Sequence, residues 1–100
     1  MHYMIVERFR DGPAPVYARL RERGRLAPAG LHYINSWVSG DGMRCYQLMQ
    51  NADPSLLKIW MDAWRDLVHF EVIPVVSSAE ASERFGGSKP TISSGDSLDV

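Results

Sequence analysis

Residues 3–9, with the sequence Tyr-Met-Ile-Val-Glu-Arg-Phe, are the stretch that decides the fold. Their β-branched and aromatic side chains, followed by a turn signal at residues 11–13, predict a first β-strand. Successive side chains of a strand point to opposite faces, and here both sets include large apolar residues. Ile5 belongs to one face, and Met4 and Val6 belong to the other. We therefore expect both faces of the sheet to be covered.

A first helix is predicted after this strand. Pro13 and Pro15 are tolerated in a first helical turn, and Val16, Leu20 and Gly24 then recur every four residues. This spacing indicates a narrow apolar stripe. Because glycine has no side chain, we expect Gly24 to let the helix approach the sheet closely.

Two more strands and a second helix follow. Residues 31–38 alternate between two sets of side chains, and residues 44–49 run back after the hairpin signal at residues 39–42. The pair Asp53-Pro54 places a capping carboxylate before a proline at the first helical position. The apolar stripe that follows predicts a second helix extending to Leu67.

The last predicted strand covers residues 70–76, and it contains Pro74. Proline cannot donate a hydrogen bond to a neighbouring strand, so this strand belongs at an edge of the sheet. Residues 77–80 have the spacing of a capping box, which predicts a short third helix at about residues 78–85.

The order β-α-β-β-α-β predicts an α+β fold of ferredoxin-like type. Its four-stranded antiparallel sheet has the strand order 4-1-3-2, and its two main helices cover one face. We expect residues 1–85 to form one domain. Residues 86–100 are rich in Gly, Ser and Asp, which is typical of a flexible tail.

The second sheet face also needs a cover. A soluble monomer rarely exposes an apolar patch of more than a few hundred Å². A second copy of the chain, packed sheet to sheet, is the simplest cover. The sequence therefore predicts a homodimer that pairs as a dimeric α/β barrel.

Composition limits the classes of function. The formal net charge of −1 provides no field that attracts nucleic acid or an anionic membrane, and four arginines within residues 19–25 are expected on a solvated helix face. Cys45 is the single cysteine, which excludes an intrachain disulfide and suits a reducing, cytoplasmic location. Residues 1–3 lack the layout of a signal peptide. No metal-binding spacing is present, and we expect no metal or cofactor.

Several motifs together resemble a known family. They are Tyr3-x-Ile-Val-Glu-Arg-Phe, Ser36-Trp37, Cys45-Tyr46-Gln47-Leu48-Met49, Trp60-x3-Trp64-x-Asp66-Leu67, Phe70-Glu71-x2-Pro74-Val75 and Ser78-x-Glu80-Ala81. The set is similar to a bacterial family catalogued as a domain of unknown function and placed in the dimeric α/β-barrel superfamily. The resemblance covers roughly residues 3–85. It implies the barrel dimer and brings no established activity.

The superfamily resemblance also implies where a site lies. Its cofactor-independent monooxygenases and haem-degrading enzymes have a pocket between sheet and helices, often with an Asn, a Trp and a His. This chain offers Asn35, Trp60 or Trp64, and His69. In a haem-degrading enzyme His69 would be the haem ligand. The alternative is that His69 is a histidine at a strand end, held by hydrogen bonds.

Polar residues in the middle of apolar strands are further candidates. Glu7, Gln47 and Glu71 lie at the centres of strands one, three and four, which the predicted order makes neighbours. If their side chains point to the same face of the sheet, the two carboxyl groups form a buried pair. The pair raises the pKa of one carboxyl group and creates a candidate acid or base. The alternative is that each side chain faces solvent or pairs with an arginine across the sheet.

Aromatic residues complete the candidate site. Trp60 and Trp64 are four apart, so one helical face carries both, and either they line a hollow or they fill the core. The predicted ligand-binding set is Gln47, Trp37, Trp60, Trp64 and Asn35. Glu7, Glu71 and His69 are the candidate catalytic residues.

Three functions fit these observations. The first is a homodimeric small-molecule-binding protein whose pocket accepts a small apolar or aromatic ligand. The second is a cofactor-independent monooxygenase or isomerase with a Glu or His as base. The third is a structural or regulatory dimer without a ligand.

Overall fold

The computed structural model of the chain describes residues 1–86. Its elements are β1 (His2–Phe9), α1 (Pro13–Arg23), β2 (His32–Val38), β3 (Arg44–Gln50), α2 (Ser55–Asp62), β4 (Val68–Val75) and α3 (Ser78–Phe85). From residue 87 onward, the predicted tail lies outside the described residues. Within residues 1–86, no helix has the length and apolar content needed to cross a membrane.

The four strands form one antiparallel sheet in the order β2-β3-β1-β4. Counted from the β4 edge, this is the order 4-1-3-2, so the prediction of a ferredoxin-like α+β fold is confirmed. β4 lies at an edge, where Pro74 removes no hydrogen bond from a second neighbour.

One face of the sheet packs against the helices. In β1 this face carries Tyr3, Ile5, Glu7 and Phe9, all of them buried. The β3 partners of Tyr3, Ile5 and Glu7 are also buried, and the apolar residues of this face form a core with residues of the helices and of the neighbouring segments. This core comprises Tyr3, Ile5, Phe9, Val16, Leu31, Cys45, Met49, Leu57, Trp60, Trp64 and Val68.

The opposite sheet face contributes no residue to this core. The register places Val6 between Tyr46 of β3 and Glu71 of β4 on this face, and Trp37 pairs with Tyr46. The Trp37 side chain is 52% exposed. We refer to this surface below as the open face.

β2 does not alternate regularly. Its register with β3 shifts by one residue between Tyr33 and Asn35. Tyr33 pairs with the buried Met49, whereas Trp37 pairs with Tyr46 on the open face. Strict alternation predicts Tyr33 and Trp37 on the same face, and this expectation is wrong because a bulge inserts one extra residue between them.

The first helix ends earlier than its apolar spacing predicts. α1 stops at Arg23, and Gly24 has a positive φ of 69°. Its N–H donates to the carbonyl of Leu20, which closes the helix. Gly24 is therefore a helix terminator. The expectation that it lies on the apolar stripe against the sheet is wrong, since a Cβ built at Gly24 meets no atom within 4 Å.

The second helix is also shorter than predicted. α2 ends at Asp62, and the backbone then tightens into turns. The Ala63 N–H donates to the Trp60 carbonyl at 3.1 Å, and the Trp64 N–H donates to the Met61 carbonyl at 3.0 Å. These bonds span three residues rather than four, as in a 3₁₀ turn. Trp64 therefore lies in a turn after the helix, and not within α2.

A bidentate ion pair joins α1 to this turn. Arg19 donates to both carboxylate oxygens of Asp66, at 2.8 and 2.7 Å, and to the carbonyl of Ala63 at 3.0 Å. The hydrogen bonds from Arg19 lower the pKa of Asp66 to about 2. Because Asp66 is exposed, water screens the attraction, and the pair orients the two segments more than it stabilises them.

Truncation of Ile5 tests the position of the core. Ile5 has no exposed surface, so Ile5→Ala is expected to lower the free energy of unfolding by about 3 kcal/mol. Ile59→Ala is the matched control, because Ile59 on α2 is 55% exposed. It is expected to change stability by less than about 0.5 kcal/mol. The measurement is urea denaturation followed by circular dichroism, and equal midpoints for the two variants would contradict the assignment.

Candidate functional site

A cavity of about 110 Å³ lies between the sheet and the helices. Strands β1 and β3 form its floor, β2 lies at its side, and α1, α2 and the turn after α2 form its roof. Most of its wall is apolar or aromatic, contributed by Phe9, Val16, Tyr17, Leu20, Trp60 and Trp64. An engineered apolar cavity of roughly 150 Å³ accepts benzene, so this space is on the scale of a single ring.

Five polar side chains gather at one part of the cavity. Glu7 pairs with Cys45 across β1 and β3, and Gln47 pairs with Ser36 across β3 and β2. Arg25, from the connection between α1 and β2, donates to the Gln47 side-chain oxygen at 3.4 Å. We call this group, Glu7, Arg25, Ser36, Cys45 and Gln47, the polar end of the cavity.

Glu7 is the most unusual member of the polar end. Its side chain is only 7% exposed, and none of the hydrogen bonds or ion pairs found within residues 1–86 includes its carboxyl group. Burial raises the pKa of Glu7 from 4.5 to about 7, and the positive charge of Arg25 partly opposes this rise. At neutral pH the group therefore exchanges a proton readily, as a general acid or base requires.

Arg25 is held in place through its backbone. The Arg25 carbonyl accepts hydrogen bonds from the indole N–H groups of Trp60, at 3.1 Å, and Trp64, at 2.8 Å. Its guanidinium carbon lies 3.5 Å from the centroid of the Tyr33 ring. The next residue, Leu26, adopts a positive φ of 61°, which is uncommon for a non-glycine residue. The chain is thus turned so that Arg25 borders the cavity.

The remaining polar groups are already partnered or neutral. Gln47 is 4% exposed, and its amide nitrogen lies 3.2 Å from the Met49 sulfur. Burial raises the pKa of the Cys45 thiol to about 12, and the nearby Glu7 adds to the rise. A neutral thiol is a poor nucleophile. The chemistry of the polar end therefore depends on Glu7 and Arg25.

The structure brings some of the predicted site residues together and separates others. Glu7, Gln47, Trp60 and Trp64 all line the cavity. Glu7 and Gln47 point to the same face of the sheet, as predicted, whereas Glu71 points to the opposite face. Because Glu71 pairs with Val6, it lies on the open face, and no buried pair of carboxylates forms.

The other three candidates also lie away from the cavity. Trp37 pairs with Tyr46, and Asn35 pairs with Leu48, which places both on the open face. His69 is exposed and pairs with Arg8 on the same face. The Asn, Trp and His combination implied by the superfamily resemblance is therefore not assembled in this cavity.

Sequence reasoning missed Arg25. The arginines of residues 19–25 were expected on a solvated helix face, but the helix ends at Arg23, before Arg25. The signal for this ending is Gly24, since glycine is favoured where a helix terminates with positive φ. Ser36 was missed because the bulge in β2 changes which of its residues face the helices.

The fold and the cavity define the class of this protein: an α+β domain of ferredoxin-like type with a ring-sized pocket between sheet and helices. A family model described as "Domain of unknown function (DUF3303)" matches residues 1–88. The chain belongs to this family. Neither the curated proteins nor the solved structures include a match to the chain.

Replacing Glu7 by Gln is expected to change how stability depends on pH. Because the folded pKa of about 7 exceeds the ordinary value of 4.5, the folded chain retains a proton that the unfolded chain loses between these pH values. The free energy of unfolding therefore falls as pH rises from 4.5 to about 7, and it stays low above this range. A rise of the Glu7 pKa from 4.5 to about 7 corresponds to roughly 3 kcal/mol in the free energy of unfolding.

The measurement is urea denaturation at pH 4.5, 6 and 8. The stability of Glu7→Gln relative to the unmodified protein is expected to increase by up to about 3 kcal/mol across this range. The control is Glu22→Gln, since Glu22 is exposed on α1 and lies outside the open face, and no comparable increase is expected there. Parallel pH profiles for Glu7→Gln and the unmodified protein would contradict the burial of an unpartnered carboxyl group.

Proposed function

We propose that this protein binds a small molecule with a single apolar or aromatic ring in the cavity between its sheet and helices. The observation that carries this proposal is the Glu7 carboxyl group, which belongs to a 7% exposed side chain, has no hydrogen-bond partner in the described structure and faces a ring-sized space. Burial takes most of the water away from this group, and a ligand that forms a hydrogen bond with it compensates for that loss.

The apolar wall supports a ring-shaped ligand. Trp60 and Trp64 use their N–H groups on the Arg25 carbonyl, so their ring surfaces provide apolar area to the cavity. Aromatic side chains contribute large contact areas and prefer stacked or edge-to-face neighbours. A mostly apolar pocket with a small number of convergent polar groups is typical of small-molecule sites.

The same carboxyl group favours a second function. A residue whose pKa lies near 7 both accepts and donates protons at physiological pH. In a cofactor-independent oxygenase or isomerase, Glu7 would remove a proton from the bound ring compound. This function includes the binding step, so ligand binding is the first property to measure.

We also propose that the chain forms a homodimer through the open face. Half-buried Met4, Val6, Tyr46 and Leu48 lie beside the exposed Trp37 on this face, and Glu71 and Arg8 add opposite charges. A surface with both signs of charge around an apolar centre suits an isologous contact with a second copy. The resemblance to the dimeric α/β-barrel superfamily supports the same arrangement, and the single, buried cysteine supports a cytoplasmic location.

The ligand proposal is tested in a Trp37→Phe variant. The chain has three tryptophans, so the emission of this variant comes from Trp60 and Trp64, which line the cavity. We expect at least one of toluene, phenol, benzamide and benzoate to change this emission and to raise the melting temperature in proportion to the logarithm of its concentration. If none of the four does so, the binding proposal is wrong and the ligand-free structural dimer remains.

A filled cavity is the matched control for that experiment. Val16 is buried in the cavity wall, so Val16→Phe is expected to occupy the space and to weaken ring binding at least tenfold. Ile59→Phe adds the same ring on the exposed face of α2 and is expected to leave binding unchanged. Circular dichroism checks that both variants are folded. Equal binding by both variants would place the ligand elsewhere.

The dimer is tested by size-exclusion chromatography with light scattering. At micromolar concentration we expect twice the chain mass of 11.3 kDa. Val6→Lys places a charge at the centre of the open face and is expected to produce a monomer, because an unpaired charge in an interface is costly. Ile59→Lys, on the other side of the molecule, is expected to remain a dimer. A monomeric unmodified protein would refute the proposal.

A further inference from the structure

The polar end of the cavity contains a carboxyl group and a guanidinium group that do not bond to each other. Arg25 is close enough to Glu7 to lower its pKa, but the salt bridges found within residues 1–86 do not include either residue. The two groups therefore border the same space, and within the described residues most of their hydrogen-bonding capacity is unused.

Arg25 is arranged to receive an anion. A guanidinium group has five N–H donors in a planar fork, and this fork matches the two oxygens of a carboxylate. Within the described residues, one of these donors is used, in a long 3.4 Å bond to Gln47. Stacking on the Tyr33 ring fixes the plane of the fork, and the indole bonds to its carbonyl fix its backbone. A preorganised fork loses less conformational entropy when a ligand binds.

Glu7 supplies a matching donor at the same polar end of the cavity. When it carries a proton, a carboxyl group donates one hydrogen bond, and a neighbouring negative charge favours this protonated form. A ligand carboxylate at the polar end can then accept hydrogen bonds from both Arg25 and protonated Glu7. The charges also balance, because one guanidinium neutralises one ligand carboxylate.

We propose that the ligand of this cavity is a carboxylate with a single ring, whose carboxylate group accepts hydrogen bonds from Arg25 and from protonated Glu7. Its ring lies against Trp60 and Trp64. This inference rests on the function proposed above, that the cavity binds a ring compound, and it adds the chemical class of that compound and a proton bound together with it.

Other titratable groups face Glu7 from the surrounding elements. They are Arg25 from the connection after α1, Cys45 from β3 and Tyr17 from α1. From β4, the neighbour of Glu7 is Phe70, which does not titrate. The Cys45 thiol, with a pKa of about 12, stays neutral throughout the experiment. A variant of Glu7 therefore tests whether Glu7 is the group that binds the proton taken up with the ligand.

The first experiment compares benzoate with benzamide and toluene in the Trp37→Phe variant. Benzamide keeps the ring and a similar shape without the charge, and toluene has neither charge nor hydrogen-bonding atoms. We expect benzoate to bind at least tenfold more tightly than either at pH 6. Because one proton is bound with benzoate, its dissociation constant is expected to increase about tenfold per pH unit above about pH 7.

The second experiment replaces the two polar groups. Arg25→Met keeps much of the aliphatic length and is expected to weaken benzoate binding at least tenfold while changing toluene binding less than twofold. Toluene binding also shows that the cavity is intact in this variant. Arg23→Met removes an exposed arginine two residues away and is expected to change neither ligand.

Glu7→Gln retains an N–H donor that does not titrate. We expect it to bind benzoate with a dissociation constant that no longer changes between pH 6 and 8. Glu22→Gln, at an exposed position of α1 outside the cavity and the open face, is expected to keep the pH dependence of the unmodified protein.

The outcomes separate this inference from the function on which it rests. Toluene or benzamide binding as tightly as benzoate would overturn the carboxylate assignment and leave the ring-binding function standing. Benzoate binding that does not depend on pH in the unmodified protein would overturn the role of Glu7. If no ring compound binds, the inference and the proposed function both fail.

Discussion

Two hydrogen bonds to one backbone oxygen organise the candidate site. The Arg25 carbonyl accepts the indole N–H groups of both Trp60 and Trp64, so it joins the connection after α1 to α2 and to the turn that follows it. Both indole groups are largely buried, and without this shared acceptor each would lack a partner. These bonds give both indole N–H groups an acceptor and leave the ring surfaces available to the cavity. They also hold the Arg25 side chain at the border of the cavity.

Much of the fold was predictable because it depends on local patterns. Pro74 indicated an edge strand, and β4 is at an edge. Turn residues and alternation located the four strands, and the order of elements restricted the sheet to few topologies. Helix ends were less predictable, because an apolar stripe continues past the residue where the backbone leaves the helix. Gly24 ends α1 through its own conformational freedom, whereas α2 ends in tight turns without a comparable signal.

The site was only partly predictable, for a different reason. Polar residues at strand centres stand out in a sequence, and Glu7 and Gln47 lie in the cavity as that pattern suggests. Which face each one occupies depends on the register between strands, and a shift of one residue moves a side chain to the opposite face. Glu71 looked equivalent to Glu7 but lies on the open face. Arg25 is in a connection without periodicity, so its position follows from tertiary contacts.

The irregularity in β2 determines the chemical character of the cavity. Because the register shifts between Tyr33 and Asn35, the strand presents Tyr33 and Ser36 to the same side although their numbers differ by three. Their hydroxyl groups lie 2.7 Å apart, so the Tyr33 ring that stacks on Arg25 is held at the side of the cavity. In a strand of the same length without the bulge, strict alternation would exchange the inward and outward residues between Asn35 and Val38. The bulge therefore decides that Ser36 and Val38, rather than Asn35 and Trp37, contribute to the wall of the pocket.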